Sequence, residues 1–394
     1  MTSELFRFRL AAAAGWEFGG AMDTPHRTPW ILIAALYVVG LLAGAQFSKV
    51  SLTLAGLAQV YPSAPVAFAV SAVAVMGICF GVVAGGLTAS FGPRRAILGA
   101  LALSGAVGLA QASLPPFAAL MALHVIEGAG HLVLVVAVPT LMASLAADKD
   151  RALVMGIWAT FFGVGFALTA LILGENIRTT FAIHGLLLLV MAGLLAGILP
   201  RGITGARRAL PRLADHLTIY QTPRLFAPGL GHGLYAMLFL ALVTFLPRAL
   251  NAPWLAPVLP LAGIAGSLST GLLARLIAPG HLVWMGFVVM AVLFAVAIAA
   301  GPLAPWVLVL ALGLSGIVAG AGFAAVPWLN DADSDRALAN GALAQLGNIG
   351  TFSGTPLFAA LAPGALLPVA IAMCLGAAVL TGLAYAATGR LNKA

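Results

Sequence analysis

The sequence predicts an all-α membrane protein of twelve transmembrane helices arranged in two pseudo-symmetric six-helix halves. Three observations predict it: an extreme apolar composition, a succession of apolar runs split in the middle by a basic stretch, and a repeat of short motifs between the two halves. Of 394 residues, 62% are hydrophobic and 8% charged, with a mean hydropathy of +1.09. Soluble domains carry about 25% charged residues. Each helical span takes about 20 apolar residues, so the chain has room for roughly a dozen. The 46 Gly and 23 Pro suit the class, because membrane helices pack through small residues and tolerate breaks that neighbours satisfy.

Residues 1–29 are expected to form a cytoplasmic tail, with Arg7, Arg9 and Arg27 set against Glu4, Glu17 and Asp23. They have no signal-peptide pattern, and the start could be Met1 or Met22. Spans are expected at 30–54, 66–89, 95–112, 117–144, 152–174 and 180–199, then at 227–247, 255–277, 282–301, 304–329, 338–361 and 365–388. The boundaries follow: an N-terminal half over 30–200, a basic cytoplasmic linker over 201–225, and a C-terminal half with a short cytoplasmic tail over 226–394. Of the 19 Lys and Arg, only Lys49, Arg178 and Arg248 fall on the outer side if both termini are cytoplasmic, which fixes that orientation. The net charge of +8 is thereby topological and implies no nucleic-acid partner. Cys79 and Cys374 lie in apolar runs and imply no disulfide framework.

The repeat pairs Gly86-Leu87-Thr88-Ala89 with Gly271-Leu272-Leu273-Ala274, Val138-Pro139 with Val326-Pro327, and Asp150-Arg151-Ala152-Leu153 with Asp335-Arg336-Ala337-Leu338, at nearly one spacing. Such internal symmetry is expected of a transporter built from two related halves.

The fourth span carries the main chemical signal. Met121, His124, Glu127 and His131 recur at helical spacing and form one stripe, and Glu127 is the acidic residue inside a span. An ionisable group there is costly and marks a functional site by default. Glu127 with His124 and His131 reads as a proton-coupling site, because a buried carboxyl and an imidazole can hold and release a proton. The plain alternative is an interhelical hydrogen bond with packed histidines. Thioether, imidazole and carboxylate on one face also admit a copper-like metal path over Met121, His124, Glu127 and His131, with Met76 and Cys79 nearby. Lys49 could pair with Glu127, attract an anionic substrate, or snorkel outward. Gln46 and Lys49 in span one, Trp158, Tyr235, Ser315, Gln345 and Asn348 are the substrate-binding candidates, and Ser315 is the repeat equivalent of Glu127. No phosphate-binding loop, nucleophile elbow or zinc-protease motif is present, so neither an enzyme nor a cofactor is expected.

Gly85-Gly86-Leu87-Thr88-Ala89-Ser90-Phe91-Gly92-Pro93-Arg94-Arg95 resembles the loop between spans two and three of the major facilitator superfamily, with Ala89 where the family has Asp. Gly85, Gly92, Arg94 and Arg95 are its conformational-loop residues here. His124-Val125-Ile126-Glu127-Gly128-Ala129-Gly130 is similar to the family's Arg-x-x-Gln-Gly-x-Gly motif in span four, which is associated with proton coupling. The antiporter pattern of span five is absent, that region reading Phe162-Gly163-Val164-Gly165-Phe166, and segments such as Trp158 to Gly165 resemble the cyanate and nitroimidazole permease branch. The resemblance implies the major facilitator fold and a secondary active transporter of a small organic solute or anion, working by alternating access and coupled to protons through Glu127. A metal transporter and a multidrug/proton antiporter are the alternatives. It further implies a monomer in the lipid bilayer of a plasma membrane, the bacterial inner membrane.

Overall fold

A computed structural model describes residues 27–81, 83–84, 91–199 and 213–390. The first helix, α1 (Trp30–Val60), is followed by the short α2 (Ala67–Ala72) and α3 (Val75–Phe80), then α4 (Pro93–Ala112), α5 (Phe117–Leu145), α6 (Asp148–Ala159), α7 (Phe161–Ile172) and α8 (Ile177–Ile198). After the linker helix α9 (Leu213–Gln221) come α10 (Pro223–Ala249), α11 (Leu255–Leu273), α12 (Pro279–Ala299), α13 (Ala304–Leu329), α14 (Asp333–Ala359) and α15 (Leu366–Ala386). Helices are the form these apolar runs take because lipid offers no partner to backbone N–H and C=O groups.

Nine helices among the described residues are long and apolar enough to cross a membrane, and α6 with α7 makes a tenth when counted as one bent passage. With α2–α3, which is shorter, and α14, which is more polar, the order of elements is consistent with the twelve passages expected. Three expected boundaries are corrected. Helix α1 runs to Val60 rather than to 54, the second span is broken between Ala72 and Val75, and the fifth bends by 44° beside Thr160. Helix α9 occupies the end of the expected linker, and α10 starts at Pro223. Residues 1–26, 200–212 and 391–394 lie outside the described residues.

Packing follows the repeat. In the first half α4 lies against α5 and α8, and α1 against α7; in the second, α12 lies against α13 and α15, and α10 against α14. Helix α5 meets α3 as α13 meets α11. The halves meet where α7 packs on α11 and where α14 packs on α2 and α3, with Ser51 donating to Thr244 across α1 and α10 at 2.8 Å. Glycines set the closest approaches. A Cβ on Gly128 of α5 would strike the Val73 carbonyl, and one on its repeat equivalent, Gly316 of α13, would strike the Gly263 carbonyl. Pro139 and Pro327, also equivalent, both lie inside these helices. The outward faces remain apolar, with Ile172 of α7 and Leu194 of α8 exposed by 72% and 59%, as lipid-facing surfaces are.

Candidate functional site

Helix α5 turns its polar stripe inward because its glycines hold it tightly on both sides. Gly128 lies on the backbone at Val73, while Gly130 lies on Ser104 and Ala100 of α4. Between these contacts His124 and Glu127 are completely buried and His131 nearly so. Buried charges must be paired and hydrogen-bonded, and a chain of four helices does this. Lys49 of α1 donates to Glu127 Oε1 at 2.6 Å and to Gln111 Oε1 at 2.9 Å, with His184 Nδ1 of α8 at 3.4 Å. The three ammonium protons thus each face an acceptor.

Gln111, near the end of α4, uses its other end on the same group. Its Nε2 donates to Glu127 Oε2 at 2.9 Å and lies 3.1 Å from His124 Nδ1, which is 3.5 Å from the same carboxylate oxygen. His184 Nε2 donates to the Leu42 carbonyl at 2.9 Å, so its Nδ1 is the lone-pair side that meets Lys49. Phe181 closes the cluster, with the Lys49 ammonium 5.1 Å from its ring centre and the His124 ring edge-on at 6.0 Å. Lys49 therefore does not snorkel outward; it is fully buried and pairs with Glu127.

His131 belongs to a neighbouring group. Its Nδ1 lies 2.8 Å from Gln46 Oε1 and its ring is edge-on to Phe47 at 5.1 Å, while Gln46 Nε2 is buried without a partner. Met121 packs, partly buried, on the hydrophobic core. Among the described residues no set of three His, Cys, Asp or Glu could hold a metal.

The remaining candidates are distributed. Trp158 stacks on Phe161 at 4.6 Å. Tyr235 stacks on Phe239 at 5.3 Å and reaches the Ser315 hydroxyl, which itself donates to the Leu312 carbonyl. Gln345 serves a contact between the halves: its Nε2 donates to the Ile78 carbonyl at 2.7 Å, and its Oε1 accepts from Tyr220 of α9 at 2.7 Å. Burial pushes the Tyr220 phenol up, which keeps it the donor. Asn348 donates to the Ala344 carbonyl and packs on Gly77 of α3. In the loop, Gly92 has φ of 78°, a left-handed value that suits glycine before Pro93 opens α4. Arg94 caps the end of α8 through the Ala196 carbonyl at 2.7 Å and the Leu199 carbonyl. Arg95 is exposed, and Gly85 lies outside the described residues.

Sequence reasoning missed Gln111, His184 and Phe181. Gln111 and His184 are each an isolated polar residue within an apolar run, and comparing such residues at equal depth in different spans would have found them.

The sequence model of the Major Facilitator Superfamily matches residues 36–355. The chain belongs to that superfamily. It is accordingly a membrane transporter rather than an enzyme, and its matched region contains all of the Lys49–Glu127 cluster. No curated protein matches the sequence. Among solved structures, a bacterial homologue of the human lysosomal transporter Spinster, inward-facing and occupied, aligns with a TM-score of 0.70 at 14% identity, covering 94% of this chain and 98% of that one. The inward-facing, unoccupied form of that homologue gives 0.66 at 14% identity, covering 94% and 97%. At this identity the likeness is one of fold.

Proposed function

We propose that the protein is a secondary active transporter that moves a small organic solute or anion by rocking its two halves around a central site, coupled to protons through Glu127. The observation that carries this reading is the dry ion pair of Lys49 and Glu127, shared by α1 and α5 and completed from α4 and α8. A proton on Glu127 removes the attraction and leaves Lys49 free to attract an anion. The release of that proton restores the pair. Protonation and anion binding are thus linked through one lysine.

Half boundaries at 30–200 and 226–394, cytoplasmic termini, a bacterial inner membrane and a monomeric carrier complete the proposal. The metal reading is not favoured, because the Lys49 ammonium occupies the face of Glu127 that a cation would need, and His131 is engaged with Gln46. Flux in proteoliposomes tests the coupling, using a solute taken from a ligand-stabilisation screen of the purified protein. Wild-type flux is expected to follow an imposed pH gradient, and Glu127→Gln to keep downhill exchange while losing the response. The sign of the response separates uptake with protons from drug/proton antiport. Flux indifferent both to the gradient and to Glu127→Gln sinks the proposal.

A further inference from the structure

Between the halves lies a seam of aromatic rings at the depth of the Lys49–Glu127 cluster. Phe162 of α7 is its node, 5.8 Å from Phe47 of α1 and 6.5 Å from Phe239 of α10, which in turn stacks with Tyr235. Phe47 meets His131, so the rings reach the polar group of α5. The Phe162–Phe239 contact joins the two halves. Elsewhere the same interface closes on glycines, with Gly163 against the Pro260 carbonyl and Gly77 against the Asn348 side chain.

At the first-half end of the seam, Gln46 Nε2 is buried with no acceptor, beside Phe47 and one helical turn before Lys49. An unmet buried donor is costly, so an acceptor that arrives with the solute would recover that cost. Among the described residues Glu127, the carboxylate beside the seam, has both oxygens engaged and is not available to a cation.

We infer that the solute is an arene carboxylate, its flat ring entering between Phe162 and Phe239 and its carboxylate reaching Gln46 Nε2 and the Lys49 ammonium that a protonated Glu127 releases. This rests on the reading of the chain as a carrier of organic anions and names their class. Ring pairs favour edge-on or offset contact with another ring, a preference worth about 0.5–1.5 kcal/mol each beyond area. Two such contacts correspond to an advantage of roughly five- to 150-fold over a saturated ring of similar size, so about tenfold is the conservative expectation.

The test is calorimetric binding to the purified full chain of four probes: benzoate, cyclohexanecarboxylate, benzyl alcohol and acetate. Benzoate is expected to bind about tenfold more tightly than cyclohexanecarboxylate, and more tightly still than the other two. In Phe162→Leu, which keeps an apolar side chain, the benzoate preference should fall toward one. Phe239→Leu should do the same from the other half. Equal affinity for the two ring acids, tighter binding of benzyl alcohol, or no benzoate binding overturns the inference, as does a preference that survives both substitutions. None of these outcomes bears on the gradient response of Glu127→Gln, so the substrate class and the proton coupling fail separately.

Discussion

The two halves share a scaffold and differ in what they bury. In α5 the residue before the close-packing glycine is Glu127, held by Lys49, Gln111 and His124; in α13 the equivalent residue is Ser315, whose hydroxyl turns back to its own helix at 2.6 Å. The glycine that follows, Gly128 or Gly316, meets a neighbour's carbonyl in both. Repetition has thus been kept where it serves packing and dropped where it serves chemistry. The second half contributes rings and single polar atoms instead, such as the unpartnered Nδ1 of His232 near Tyr235 and Phe323. An asymmetric carrier of this kind concentrates its electrostatic cost in one half.

The strongest way to break the comparison is to unpair the charges. Lys49→Ala should lower stability by about 3–5 kcal/mol, because it leaves Glu127 ionised and buried without its cation. The double change of Lys49→Met with Glu127→Leu should recover most of that loss while abolishing coupled flux. Thermal unfolding of the detergent-purified proteins measures both, and a single variant no less stable than the double one would show that the pair is not a costly buried charge.

A middle-sized effect sharpens the symmetry. Gly128→Ala and Gly316→Ala each add a methyl group against a carbonyl and should cost about 1–3 kcal/mol, alike in the two halves. Unequal losses, read from the same melts, would mean that the repeat does not extend to packing. The smallest effect concerns the contact between halves. Removing one hydrogen bond with Tyr220→Phe should cost about 0.5–1.5 kcal/mol, and Gln345→Leu, which removes two, roughly twice that, both seen as faster amide exchange in α9 with little change in the melt of the whole protein. Unchanged exchange would count against Gln345 as the tie between α9, α14 and α3.

Much of this architecture was legible because hydropathy is a local property: a run such as Phe117–Leu145 declares itself without reference to any neighbour. The breaks in the second and fifth spans were not, because Ala72–Val75 and Thr160 are as compatible with a continuous helix as with a bend, and tertiary packing decides between them. The stripe of α5 was legible from spacing, and the pairing of Lys49 with Glu127 was one of the readings the sequence left open. Gln111 and His184 were hidden because their role depends on depth and rotation in helices distant along the chain. Gln345 and Asn348, expected among the substrate-binding residues, are drawn instead into the contact with α3, which helical periodicity alone could not distinguish from a cavity face.

Pro139 and Pro327 carry the comparison into mechanics. A proline inside a helix removes one backbone hydrogen bond and crowds the carbonyl four residues earlier, so the rod is softer there than on either side. Because the two prolines occupy equivalent places in α5 and α13, the halves are matched in bending compliance although only one of them carries charge. A load applied at the C-terminal ends of these helices would flex both by a similar amount, and only one of those deflections would be felt by an ion pair.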